Sequence, residues 1–232
     1  MRDFRSIAGA LMAVLLLSAC TSTKTLKTTN EFKRIDGEAT LLLLEPDVEL
    51  RFVKASEVRE TRADWTEAAE LMLLSELEKQ LKARNISMTQ FELGEATPRE
   101  IQLIKLHEAV GTTIVLHRYA NLPLPSKKDT FDWSLGPGVQ EMARNNDADY
   151  ALLLYARGEY ASAGKQVANI LMGAAFGVTG SMGGQQAFAS LIDLRTGDIV
   201  WFNVAQTGVG SDMRDADGAE HMITNLLKKF PL

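Results

Sequence analysis

From Ala39 onward the hydrophobic positions alternate between two periods, and each change of period marks an element. Leu41–Leu44 form an unbroken apolar run closed by Pro46, which predicts a strand buried on both faces. Val48, Leu50 and Phe52 then alternate with polar residues and predict a second, short strand. Leu71, Leu74, Leu77 and Leu81 recur at helical spacing, with Asp64 placed to cap the helix, Glu67 three residues on and Asn85 as a left-handed stop. Residues 86–91 read as a strand. Thr97-Pro98-Arg99-Glu100 is a capping box with proline in the first turn, opening a helix expected to reach Arg118.

Pro123, Pro125, Lys127 and Lys128 predict an exposed loop over 120–134, and a short helix is expected from Pro137 to about Asn145. A long apolar strand begins at Tyr150. Phe188 to Gln206 reads as a β-hairpin turning at Arg195-Thr196-Gly197-Asp198, and Ala219, Met222, Ile223, Leu226, Leu227 and Phe230 mark a closing helix stopped by Pro231. The pattern predicts an α/β fold: one domain with a mixed sheet flanked by helices, closing with a β-hairpin and a C-terminal helix.

Residues 162–186 break the rule that one helical face is polar. Val167, Ile170, Leu171, Ala174, Ala175 and Val178 fall on one side, while Ala168, Met172, Gly173 and Phe176 occupy the other. Gly173 and Gly177 form a GxxxG, which permits close backbone approach. A helix apolar on both sides must be buried in its own core, in a partner or against a membrane, and its apolar part is too short to span a bilayer. Val167, Ile170, Leu171, Gly173, Phe176 and Gly177 are therefore the candidate interface.

The chain starts with Arg2 and Arg5 before an apolar run from Ile7 to Leu17, ending in Leu17-Ser18-Ala19-Cys20. This is the order of a secretory signal, with an apolar run well below the ~20 residues of a membrane-spanning helix. The ending also resembles the lipobox of bacterial lipoproteins, and with what that resemblance implies the expected organisation is a signal peptide over 1–19, a lipidated N-terminus and flexible tether over 20–38, and a periplasmic domain over 39–232. Cys20 is the sole cysteine, so the fold rests on packing without disulfides. Removing residues 1–19 takes away two positive charges and one negative, moving the net charge from −5 to −6. An acidic, well-mixed surface argues against nucleic acid as a partner.

Candidate chemistry does not assemble. Gly158 and Gly164 stand one residue too far apart for a phosphate-binding loop, and Gln166 follows Lys165 where Ser or Thr is required. Met213 replaces the third glycine of a dinucleotide fingerprint beginning at Gly208, and Ser162 lies in Tyr-Ala-Ser-Ala-Gly, with Tyr160 where a nucleophile elbow needs its first glycine. His107-Glu108 has Gly111 where a zinc-protease helix needs its second histidine. Asp147 and Asp149 read as connection chemistry between helix and strand. The expectation is a protein with no catalytic residues, no metal and no cofactor. The alternative is a periplasmic hydrolase or ligand-binding lipoprotein with a site near 120–134, drawing on His107, His117, Asp147 or Asp149.

The lipobox ending in Cys20, the entry Asn-Asp-Ala-Asp-Tyr over 146–150 and the hairpin Leu191–Trp201 together resemble envelope lipoproteins related to the curli secretion-channel lipoprotein. The Tol amino-terminal domain and the lipoprotein activators of peptidoglycan synthases are similar in the same elements. The resemblance implies acylation of Cys20, including palmitate, and an anchor at the periplasmic face of the outer membrane, since Thr21 is not aspartate. It also implies non-enzymatic work in assembly, secretion or scaffolding through protein partners, the chain itself among them. The chain departs from the channel at 162–186, which lack the in–out alternation of membrane strands.

Overall fold

The computed structural model describes residues 39–120, 122–176, 183–207 and 212–232, with the backbone alone at 22–27, 173 and 176. One mixed sheet organises them. Its strands are β1 (Ser22–Lys27), β2 (Thr40–Leu43), β3 (Asp47–Val53), β4 (Arg59–Thr61), β5 (Ser87–Gln90), β6 (Tyr150–Ala161), β7 (Gly183–Asp193) and β8 (Ile199–Thr207). The order is β1-β8-β7-β6-β2-β5, with β3 also on β6 and β4 on β3. Pairing is parallel for β2 with β5 and for β2 and β3 with β6, and antiparallel from β6 through β7 and β8 to β1.

The strands β2 and β3 share one edge of β6 in succession. Leu43 pairs with Leu152, and pairing resumes at Asp47 opposite Tyr155. Pro46, which has no amide hydrogen to donate, lies in the gap between them.

Among the described residues five helices flank the sheet: α1 (Ala63–Ala83), α2 (Pro98–Arg118), α3 (Gln140–Asn146), α4 (Ala163–Phe176) and α5 (Ala216–Leu226). On one face α1 and α5 bury Leu73, Leu77, Leu81, Met222 and Ile223 against Leu41, Leu50, Tyr150, Leu152 and Trp201. On the other, α2 and α3 bring Leu103, Ile114 and Met142 onto Leu42, Leu153, Phe188 and Phe202. Both faces of the central strands are thus apolar, as the run Leu41–Leu44 predicts. Gly111, inside α2, allows that helix close to the sheet: a Cβ there would stand 2.3 Å from the Phe188 ring.

Local signals behave as their chemistry requires. Thr97 Oγ1 accepts from the Glu100 amide at 3.2 Å, and Glu100 Oε2 accepts from the Thr97 amide at 2.8 Å. Asn85 adopts φ 57°, and the Leu194–Asp198 turn places Gly197 at φ 87°. Pro137–Val139 is a 3₁₀ turn leading directly into α3.

Two expectations need correction. Asp64 does not cap α1; the helix starts at Ala63, so Asp64 lies in its first turn and accepts from Nε and Nη2 of Arg62. Arg62 is held at the strand end by its amide donating to Leu50 O at 2.9 Å, and the helix starts two residues earlier than an Asp64 cap would place it. Nor are residues 20–38 a tether throughout. Ser22–Lys27 pair with β8 from Gln206 to Trp201. An edge strand needs only backbone pairing, so its threonine-rich sequence gives no apolar period to read. Residues 1–21 and 28–38 lie outside the described structure.

Candidate functional site

Helix α4 connects the end of β6 to β7 and lies outside both cores. Its amphipathicity is inverted. Lys165 is buried and Asn169 half-buried, one turn apart on the side toward the domain. Val167, Ile170, Leu171 and Ala174, spaced i, i+3, i+4 and i+7, face away; the first three are 55, 61 and 63 % exposed. Met172 beside them is 47 % exposed.

The polar side fastens the helix. The Lys165 ammonium donates to Glu57 Oε2 at 2.5 Å, and its amide donates to Ser162 Oγ at 3.1 Å. The neighbouring Gln166 side chain donates to Ala161 O at 3.1 Å. Lys165 also lowers the Glu57 carboxyl below its ordinary range, by hydrogen bond and by charge. The residue that failed a phosphate loop is thus the clamp holding α4. An apolar sequence face gives no hint that a lone lysine inside it points inward.

Of the predicted interface residues, Val167, Ile170 and Leu171 come together on the outward stripe. Gly173 and Phe176 belong to α4. Gly177 and Cys20 lie outside the described residues.

The side chains considered for catalysis serve the fold separately. His107 and Ser190 share a 2.8 Å hydrogen bond inside the α2–β7 contact, with Ser190 fully buried. Burial pushes the His107 imidazole down to about 3, so it stays neutral across the physiological range. His107 borders an apolar cleft of about 370 Å³ whose other walls include Leu44, Val48, Ile101, Ile104 and Leu154. His117 Nδ1 meets Leu122 O at 2.5 Å. Asp147 closes α3 in the left-handed region, and Asp149 Oδ2 accepts from the Thr40 amide at 3.0 Å, joining β6 to β2. Among the described residues, no group of three or more His, Cys, Asp or Glu converges to hold a metal.

A polar groove of about 630 Å³ lies over the outer half of β6, bounded by Glu49, Arg51, Glu108, Tyr155 and Arg157. Its one signal in the sequence is the alternation Tyr155, Arg157, Glu159 along β6. Its charges are internally matched. Arg157 Nη1 lies 2.9 Å from Asp47 Oδ1, and the guanidinium sits 3.6 Å over the Tyr155 ring. Arg51 donates twice to Glu49, at 2.8 and 2.9 Å, which holds that carboxyl below its usual value.

No family model matches the chain, and no curated protein matches it. Among solved structures it is similar to the PelC dodecamer from Paraburkholderia phytofirmans, at 14% identity and a TM-score of 0.37, covering 90% of this chain and 95% of that one. It is also similar to lipoprotein GNA1162 from Neisseria meningitidis, at 10% identity and a TM-score of 0.34, covering 82% of this chain and 96% of that one. Similarity at this level is too distant to carry a family or a function to this chain.

Proposed function

We propose that this is a lipid-anchored protein of the cell envelope that works by contact rather than by catalysis, as an assembly, secretion or scaffold component. Cys20 is its lipid attachment site, and the periplasmic face of the outer membrane is its location. The observation that carries the reading is the inverted helix α4, which spends its polar residues on its own domain and turns Val167, Ile170 and Leu171 outward. Leaving such a stripe in water is unfavourable by ~25 cal/mol per Å² of apolar surface, so the arrangement makes physical sense only when another body covers it.

Oxidative footprinting tests this. Met172 and its neighbours react freely with hydroxyl radical in the purified delipidated protein, and α4 becomes protected in intact envelopes. Equal labelling of α4 in both preparations contradicts the reading.

A further inference from the structure

The register of the sheet brings the lipid attachment site and helix α4 to the same end of the molecule. Ser22 pairs with Gln206, Gln206 with Gln186, Gln186 with Arg157 and Arg157 with Glu49, forming one row across five strands. The strands β6 and β8 run the same way and β1 runs opposite, so Ser22, the first residue of β1, stands at the end of the sheet where β6 gives way to α4. Cys20 is two residues from Ser22 and so within about 7 Å of it. Ala161, the last residue of β6, lies four residues beyond the same row, or about 13 Å.

A second feature marks this end. Phe52, which pairs with Tyr160 on the last turns of β3 and β6, packs edge-on against Trp65, and Trp65 packs edge-on against Tyr160. All three rings are only partly buried. Arg62 lies 4.3 Å and Arg214 4.2 Å from the Trp65 ring centre. Aromatic rings with arginine beside them are the side chains that settle at the headgroup level of a bilayer.

We infer that the outward stripe of α4 lies in the lipid surface that receives the acyl chains of Cys20, as a second, non-covalent membrane contact. This rests on the reading of Cys20 as lipidated and of α4 as a contact surface, and it names what covers that surface. No described helix is long and apolar enough to cross a membrane. The 14 residues of α4 make about 21 Å of helix, well short of the ~30 Å hydrocarbon core, so it lies along the interface. It carries no acidic residue to repel anionic headgroups. Two contacts at one end also fix the domain's orientation, which a single point of attachment cannot do.

The test uses the chain from residue 20 carrying Cys20→Ser, which retains every residue of both cores, from Ala39 to Phe230. It is floated with vesicles of phosphatidylethanolamine and phosphatidylglycerol, and its mass is measured by light scattering without lipid. The expected result is a monomer that floats, with Ile170→Asp/Leu171→Asp reducing the bound fraction at least tenfold at unchanged melting temperature. Equal flotation of protein and variant overturns the inference. So does a protein that ignores vesicles but self-associates through Ile170 and Leu171; α4 then meets a second copy and the contact reading survives. Neither flotation nor self-association also overturns it, and the envelope footprint then decides the contact reading independently.

Discussion

His107 and Ser190 share a 2.8 Å hydrogen bond where α2 crosses β7, and they are joined inside the core rather than at a surface. Elsewhere such a pair would invite a nucleophile-and-base reading. Here burial holds the imidazole neutral down to about pH 3 and gives the hydroxyl no access to a substrate. The pair satisfies two polar groups that the packing of Phe188 and Gly111 would otherwise strand.

The burial of His107 makes stability depend on pH. The unfolded chain protonates this histidine near 6.5, whereas the folded chain does not until about 3. Between these values the unfolded state binds more protons, so the stabilisation is complete above pH 6.5 and is lost progressively as pH falls toward 3. From pH 7 to pH 5 the loss from this group is about 2 kcal/mol. Urea melts of the wild type and of His107→Gln at both values check it: the variant is less stable at pH 7 and loses less on acidification. Equal losses contradict the assignment.

Gly197 turns the β7–β8 hairpin at φ 87°, and a Cβ there would stand 2.2 Å from Gly136 O. Gly197→Val therefore combines backbone strain with a backbone clash, at a cost of about 1–3 kcal/mol. Thermal melting reads this directly, and an unchanged midpoint contradicts the turn geometry.

If Cys20 carries the lipid as proposed, Cys20→Ala removes the anchor while leaving both cores intact. Each buried CH₂ contributes about 0.8 kcal/mol, so several acyl chains far outweigh one short interfacial helix. The variant is expected in the soluble periplasmic or precursor fraction after cell breakage. Full retention in outer membranes contradicts lipid as the main anchor.

Much of the fold was legible because its signals are local. The Thr97–Glu100 box, Asn85 and Gly197 each act within a few residues, and the run Leu41–Leu44 needs only a buried strand to make sense. What escaped depends on distant partners. β1 exists by pairing with β8, about 180 residues away, and Asp64 lost its capping role to a strand-end hydrogen bond from Arg62 to Leu50. The outward turn of α4 depends on Lys165 meeting Glu57 across 108 residues. Its sequence shows a helix apolar on both sides; only the fold says which side is left in the open.

The inferred contact of the Val167–Ile170–Leu171 stripe with lipid can be read at a single position. A tryptophan at its centre, Leu171→Trp, reports this in vesicles containing brominated lipid, with the wild-type signal from Trp65, Trp133 and Trp201 subtracted. A stripe seated in lipid gives added emission that shifts to the blue and is quenched by bromine near the headgroup end of the acyl chains. Emission at the wavelength of a water-exposed indole, unquenched at every bromine depth, would contradict it.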